Sequence, residues 1–597
     1  MTRALLLRRL AVDATGHCTA WSLVHDAARR QLTPRGARDS LMARLEPAPE
    51  SDAQTFSVDE ALEKLPLGWT HLKVFCVCGF AWMVDGIEVL LLAFIGPSVR
   101  CEWGVSDAQA ASMTTIVFAG MSIGAVCWGA IADRYGRRLS LTLSTVVILV
   151  AGMLCAFAGS FQILLLLRLI VGIGVSGAHV AFSLLVEWMP PRVRGRAGVA
   201  LSMWWSLGAV MEAAFARLIM PTLGWRYLLL LSAAPALLLL LASPWMPESP
   251  RFYVAQGRLA EAEASLRRAA HQCGGTLPAG TLARGAAPLN DAGGGKLGDL
   301  FTRELRRLTA SQWGLWFAAA FTYYGSVLIT TELLAADSCG YRSTGDAGGG
   351  SAAGQCTLLT ADDYDANIVA TAGELPGIII TFFVIDRIGR RRTIGCESLV
   401  MAAAMLLVIP CFSLPFQTGA LFVMRGAADG LFQAAFVYTS EVYPSSIRGL
   451  GLGWCSSFSR LGGMTTPFVA QVLTRTSPST ALYVYAAVAV SLGLIAFTLE
   501  VETLGKPMFT SVDELRVELD KVRSRRKTRG TWLELRLSTA DERTGTRASK
   551  LDTRASKLDI RAGTAGKGAS TSRTFGADEF DAHASWHSAL SLPPTAR

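Results

Sequence analysis

A loop signature occurs twice in this chain, about 250 residues apart, each time between two apolar runs of membrane-crossing length. The first copy, GAIADRYGRR, runs Gly129 to Arg138; the second, FVIDRIGRRR, runs Phe383 to Arg392 and keeps Asp386, Arg387, Gly389, Arg390 and Arg391 in the same order. Glu187, Pro190, Arg194 and Gly195 are echoed at nearly the same offset by Glu441, Pro444, Arg448 and Gly449. The chain therefore reads as a duplicated membrane domain.

Composition points the same way: 51% of the 597 residues are hydrophobic and only 17% charged, more apolar surface than a soluble fold hides. The net charge of +9 does not indicate nucleic acid, because the arginines cluster between apolar runs instead of along one face. Stretches of about 20 residues, enough to span a bilayer, begin near residues 73, 111, 140, 162, 197, 225, 312, 365, 395, 418, 450 and 480. This predicts an all-α integral membrane fold of twelve spans in two six-helix repeats, an arrangement that builds a central site open to either side.

The boundaries follow: a disordered N-terminal cytosolic segment at 1–70, the first half at 71–250, a cytosolic loop at 251–310, the second half at 311–500 and a polar disordered tail at 501–597. The tail carries the heptad TRASKLD twice, at 546–552 and 553–559. Basic residues at 134–138, 192–196, 251–310, 387–392 and 448 fall on one side, which is expected to be cytosolic together with both termini. The start, MTRALLLRRLAV, has the Arg-rich character of a transit peptide, but Asp13, Asp26 and Asp39 argue against one. Cys339 and Cys356 share an outer loop where a disulfide between them is expected, with Cys101 as the odd outer cysteine. The GxGxxG of Gly172, Gly174 and Gly177 lies inside an apolar span, with no preceding strand, and reads as close helix packing and not as nucleotide binding.

Charges inside spans are costly, at least about 2.5–3.5 kcal/mol at a helix centre, and mark function. Asp85 and Glu88 share a face of span one. Asp85 lies roughly 18 Å from the cytosolic edge by helical rise, and Arg168 of span four roughly 21 Å in a core of about 30 Å. The two are level, so Asp85 with Arg168 is the expected pair. A movement that separates such a pair changes the carboxylate's proton affinity, the requirement for proton coupling; the competing reading is a static pair that only fixes packing. Arg425 and Asp429, one turn apart, either neutralise each other or line the substrate cavity. Glu212 and Glu374 are deep enough to line a cavity and meet a cationic substrate, whereas Arg460 is the second-half residue suited to an anion or to pairing with Glu374. Glu332, near an outer end, needs no partner if wet. Tyr323 and Tyr324, with Phe321, Trp204 and Trp205, can stack on a flat organic substrate, although ordinary packing explains them equally. No nucleophile set, metal cluster or phosphate loop is present in the sequence, so neither an enzyme nor a cofactor is expected.

With these residues in view, the chain resembles the major facilitator superfamily on its organic ion and sugar porter side, over residues 56 to about 506. The resemblance rests on GxxxDRxGRR at 129–138, RxxxGxG at 168–174, PESPRF at 247–252 and VETLGK at 501–506. Within this group it is most similar to the synaptic vesicle 2-related members, through FSVDEALEKLPLGW, GFAWMVDGIEVLLL, RCEWGV and FTYYGSVLITTELL. The resemblance implies a monomeric alternating-access carrier of a small organic ion, proton-coupled through Asp85 and Arg168, in a plasma, vesicle or organellar membrane. It also implies a cytosolic gating network of Gly129, Asp133, Arg137, Glu187, Arg194, Glu248 and Arg251, with Asp386, Arg390, Glu441 and Arg448 in the second half. The sugar-porter glutamine and asparagine set of span seven is missing, which argues against hexoses. A non-transporting receptor or vesicle component with the same fold is the alternative.

Overall fold

The computed structural model describes residues 55–283, 297–336, 339–340, 358–444, 447–506, 509 and 511–524. Among these, the first half consists of spans at Trp69–Trp103, Asp107–Tyr135, Arg137–Cys155, Phe161–Trp188, Pro191–Ile219 and Trp225–Trp245. The second consists of Arg306–Ala335, Ala361–Ile388, Arg390–Val408, Leu414–Val442, Arg448–Pro467 with its π-helical continuation Phe468–Leu473, and Pro478–Thr498. Ten of the twelve are long and apolar enough by themselves to cross a membrane. The ninth falls short because it opens on Arg390, Arg391 and Arg392 and carries Glu397; the eleventh because glycine, serine and threonine dominate it.

Caps set where the spans begin. Ser106 with Gln109 and Thr360 with Asp363 form reciprocal capping boxes at spans two and eight. Ser160 and Ser413 cap spans four and ten at matching places in the two halves. The repeated loop turns on Gly136 (φ 108°) and Gly389 (φ 93°), a conformation that favours glycine. A Cβ at either would also collide with a carboxylate, that of Glu248 at Gly136 and that of Glu502 at Gly389.

The halves meet where span two packs on span eleven and span five on span eight, with span one against span seven. Inside the first half, a Cβ on Gly172 would run into the Val117 carbonyl oxygen, and one on Gly177 would run into Ser144 Oγ. The glycine motif in span four is thus spent on helix packing.

Three expectations are corrected. Residues 1–54 lie outside the described part of the segment expected to be disordered, but Thr55–Phe56 pairs in parallel with Thr281–Leu282 and Val58–Lys64 is a capped helix. In the tail, residues 512–519 are helical with Leu515 and Leu519 buried; the TRASKLD copies lie outside the described residues. Cys339 is bonded to Cys411, with Cα atoms 5.4 Å apart, and not to Cys356, which lies outside the described residues. Cys101 is also disulfide-bonded.

Candidate functional site

Between the halves lies a cavity of about 600 Å³, lined by spans one, two, four and five of the first half and seven, ten and eleven of the second. It runs from mid-depth, at Asp85, Tyr323, Tyr324 and Arg460, to Val126 and Gly449 near the end that carries the two repeated loops. The opposite end is shut by four charges that bridge the halves. Arg100 bonds Asp107 (2.9 Å) and Glu332 (3.5 Å), while Arg475 reaches Glu332 (3.0 Å) and Asp107 (3.5 Å). Glu332 is therefore not wet but buried between two guanidiniums. The other three are not singled out by the sequence because each sits at a span end, where a charge is ordinary. Glu332→Gln weakens this closure by removing the buried negative charge that Arg100 and Arg475 share, so spin-label distances between Ala108 and Ser479 should lengthen and broaden. An unchanged distribution would mean that packing alone shuts this end.

The two carboxylates of span one take different partners. Glu88, and not Asp85, pairs with Arg168, Oε2 to Nη1 at 3.0 Å, with both side chains buried. Asp85 faces the cavity, and its buried Oδ1 has no hydrogen-bond partner among the described residues. Glu212 is buried inside the first half, where it accepts from the Ser232 hydroxyl (2.8 Å) and does not line the cavity.

The second half holds its own buried pair. Arg425 Nη2 bonds Glu374 Oε1 at 2.5 Å with neither side chain exposed. This corrects the expectations for both residues: Arg425 takes Glu374 instead of Asp429, Glu374 is not the partner of Arg460, and neither of the two lines the cavity. Asp429 lines the cavity and accepts from Ser206 of span five (2.9 Å). Trp205 Nε1 donates to the Tyr323 hydroxyl (2.6 Å), which donates in turn to Glu374 (3.4 Å), so span five of the first half reaches the charged cluster of the second. Arg460 lines the cavity and bonds the Ser456 carbonyl on its own helix (3.2 Å). Trp205, Tyr323 and Tyr324 line the cavity; Trp204 instead packs on Phe75 and Phe80, and Phe321 on Phe317 and Tyr485.

At the end bearing the repeated loops, charge networks form within each half. Arg137 pairs with Asp133 and Glu187 at 3.2 Å each, and Glu248 accepts from the backbone amides of Arg137 (2.9 Å) and Arg138 (3.1 Å). The second half repeats this: Arg390 pairs with Asp386 and Glu441 at 2.9 Å each, and Glu502 accepts from the amides of Arg390 (2.9 Å) and Arg391 (3.3 Å). Gly129 has open space around its Cβ direction, and Arg448 bonds the Tyr443 carbonyl instead of an acid. Arg194 and Arg251 do not meet Glu187 or Glu248 either; both bond Asp59 of the short helix before span one. Burial alone would raise the Asp59 carboxyl, but the two guanidiniums outweigh it and hold the group below its usual range. Asp59 is not legible as a member because it lies 135 and 192 residues from its partners.

Comparison with known proteins agrees with this architecture. Residues 73–338 match the family model described as sugar (and other) transporter, and residues 359–540 match the Major Facilitator Superfamily model. The synaptic vesicle 2-related protein of Pongo abelii is 38% identical over 453 residues, 76% of this chain and 82% of that one. That of Rattus norvegicus is 38% identical over 455 residues, with the same shares covered. Among solved structures, the xylose transporter XylE from E. coli in an inward open conformation aligns with a TM-score of 0.56 at 18% identity, covering 73% of this chain and 98% of its own. Two homologous six-span halves around a shared cavity, and relatives of this identity along most of the length, place the chain in the major facilitator superfamily as a multi-pass membrane transporter of the sugar-porter type.

Proposed function

We propose that this chain is a secondary transporter of a small organic ion that works by alternating access and is coupled to protons. The observation that carries this reading is a cavity shared by both halves, open towards one end and shut at the other by the charges of Arg100, Asp107, Glu332 and Arg475. Rocking the halves would break that four-charge closure and expose the same cavity on the other side. The excess of arginine on the loops at the open end makes that end cytosolic, with both termini. The intra-half networks around Arg137 and Arg390 then stiffen each half as a body. They do not bridge the halves at this end, as fits an arrangement in which this end is the open one.

Proton coupling is assigned to Glu88 with Arg168. The pair lies inside the first half, one turn from Asp85, so a tilt of span one caused by substrate at Asp85 moves Glu88 relative to Arg168. Small-molecule substrate and membrane are the partners, the working unit is a monomer, and plasma or vesicle membrane is the proposed site of action. Purified protein in liposomes should accumulate its substrate only when a pH gradient is imposed. Equal uptake with and without the gradient would sink the coupling, and no flux of any organic ion by folded protein would sink transport itself.

A further inference from the structure

Aromatic side chains from both halves touch one another in a closed circuit along the cavity. Trp82 of span one meets Trp205 of span five, with ring centroids 6.4 Å apart, and Trp205 meets Tyr323 of span seven at 6.4 Å. Tyr323 meets Phe432 of span ten at 5.9 Å, and Phe432 meets Trp316 at 5.7 Å. Trp316 meets Phe436 at 5.8 Å, Phe436 meets Phe182 of span four at 5.2 Å, and Phe182 returns to Trp82 at 5.9 Å. All seven rings line the cavity. A core packs aromatic residues against whatever is nearest, whereas this belt joins five spans along the wall of a space that a ligand can enter.

Each half adds one carboxylate to the belt. Asp85 follows Trp82 by one helical turn, and Asp429 precedes Phe432 by one turn, so each acid shares a face with a belt ring. Among the described residues the cavity lining contains no lysine, and its one arginine, Arg460, is bonded along its own helix to Ser456. Two carboxylates against one guanidinium leave a formal excess of one negative charge. Asp85 lines the cavity with no guanidinium or ammonium group within ion-pair distance among the described residues, an expensive state for a carboxylate inside a membrane unless a cation meets it from the cavity.

Aromatic faces carry the negative end of the ring quadrupole and attract cations, most strongly where water is excluded. An anion entering here would face two carboxylates with one guanidinium to meet it. A polyhydroxylated sugar would lose its hydration against apolar rings that return few hydrogen bonds. Resting on the transport reading of this same cavity, we propose that its substrate is a monovalent organic cation with a flat or alkyl apolar body, held by the belt with its positive charge against Asp429 and Asp85.

The test is binding to the full-length chain in lipid nanodiscs, by isothermal titration at neutral pH, of three ligands of one shape. These are 1-methyl-4-phenylpyridinium, the neutral 4-phenylpyridine and the anionic biphenyl-4-carboxylate. The cation should bind at least tenfold more tightly than either isostere. Asp429→Asn should weaken it by tenfold or more while leaving the neutral ligand unchanged, and Trp316→Leu should weaken it as well. Equal affinities, a preference for the anion, or no cation binding up to millimolar concentration overturns the proposal. The wild-type comparison decides the matter even if a variant fails to fold. Binding of the cation without flux in liposomes would count against transport and leave the cation assignment standing. Flux of the anion alone would do the reverse.

Discussion

Glu88→Gln should abolish accumulation driven by a pH gradient while leaving substrate exchange within a few-fold of wild type. Glutamine keeps the size of the side chain and still offers Arg168 an acceptor at the observed 3.0 Å contact, but it cannot take up or release a proton. A gradient of one pH unit at one proton per substrate sustains up to about tenfold accumulation. The wild type should approach that figure, and the variant should only equilibrate. Asp85→Asn should behave differently, because Asp85 lines the cavity and contacts no guanidinium within ion-pair distance among the described residues: it should weaken substrate binding and leave the coupling ratio intact. The measurement is radiolabelled uptake and counterflow with monodisperse protein in the same liposome preparation. If Asp85→Asn rather than Glu88→Gln uncoupled transport, the assignment of the two acids would have to be exchanged.

Arg425→Ala should cost stability on the order of 3–5 kcal/mol, the usual consequence of stranding one member of a buried ion pair. Glu374 is fully buried, its second oxygen already lacks a hydrogen-bond partner among the described residues, and the Tyr323 hydroxyl that donates to its first oxygen carries no charge to replace the guanidinium. The double variant Glu374→Gln with Arg425→Met should recover most of the loss, because the desolvation of both charges is then removed together. Thermal and denaturant unfolding in detergent, followed by tryptophan fluorescence, reads this directly. A single variant as stable as the double would mean that Glu374 has another source of compensation.

The membrane fold is legible in the order of residues because it rests on one-dimensional signals. Span starts expected from apolar length fall within a few residues of the observed ones, as at 73 against Trp69 and 225 against Trp225. The repeated DRxGRR loop announces the duplication, and the structure gives Arg137 and Arg390 matching partners in Glu187 and Glu441. The partner of Cys339 escapes the sequence for an equally simple reason. Apolar length starts the ninth span near residue 395, whereas the helix starts at Arg390, so Cys411, beyond its true end at Val408, falls inside the expected span.

Which charges meet depends on rotation and tilt. Asp85 and Glu88 differ by three residues, about 4.5 Å in depth and about 60° around the helix. Depth is enough to bring Arg168 level with span one but does not tell which acid faces it. The same angular freedom hides the bond from Arg425 to Glu374 across two helices, the capture of Arg194 and Arg251 by Asp59, and a belt of seven rings drawn from five spans. Hydrophobic length and repeated motifs are properties of residue order, so order alone settles that this chain crosses a membrane as two like halves. Which acids are buried with arginines and which face the cavity is settled only in three dimensions, because it depends on how each helix is turned against neighbours remote in sequence.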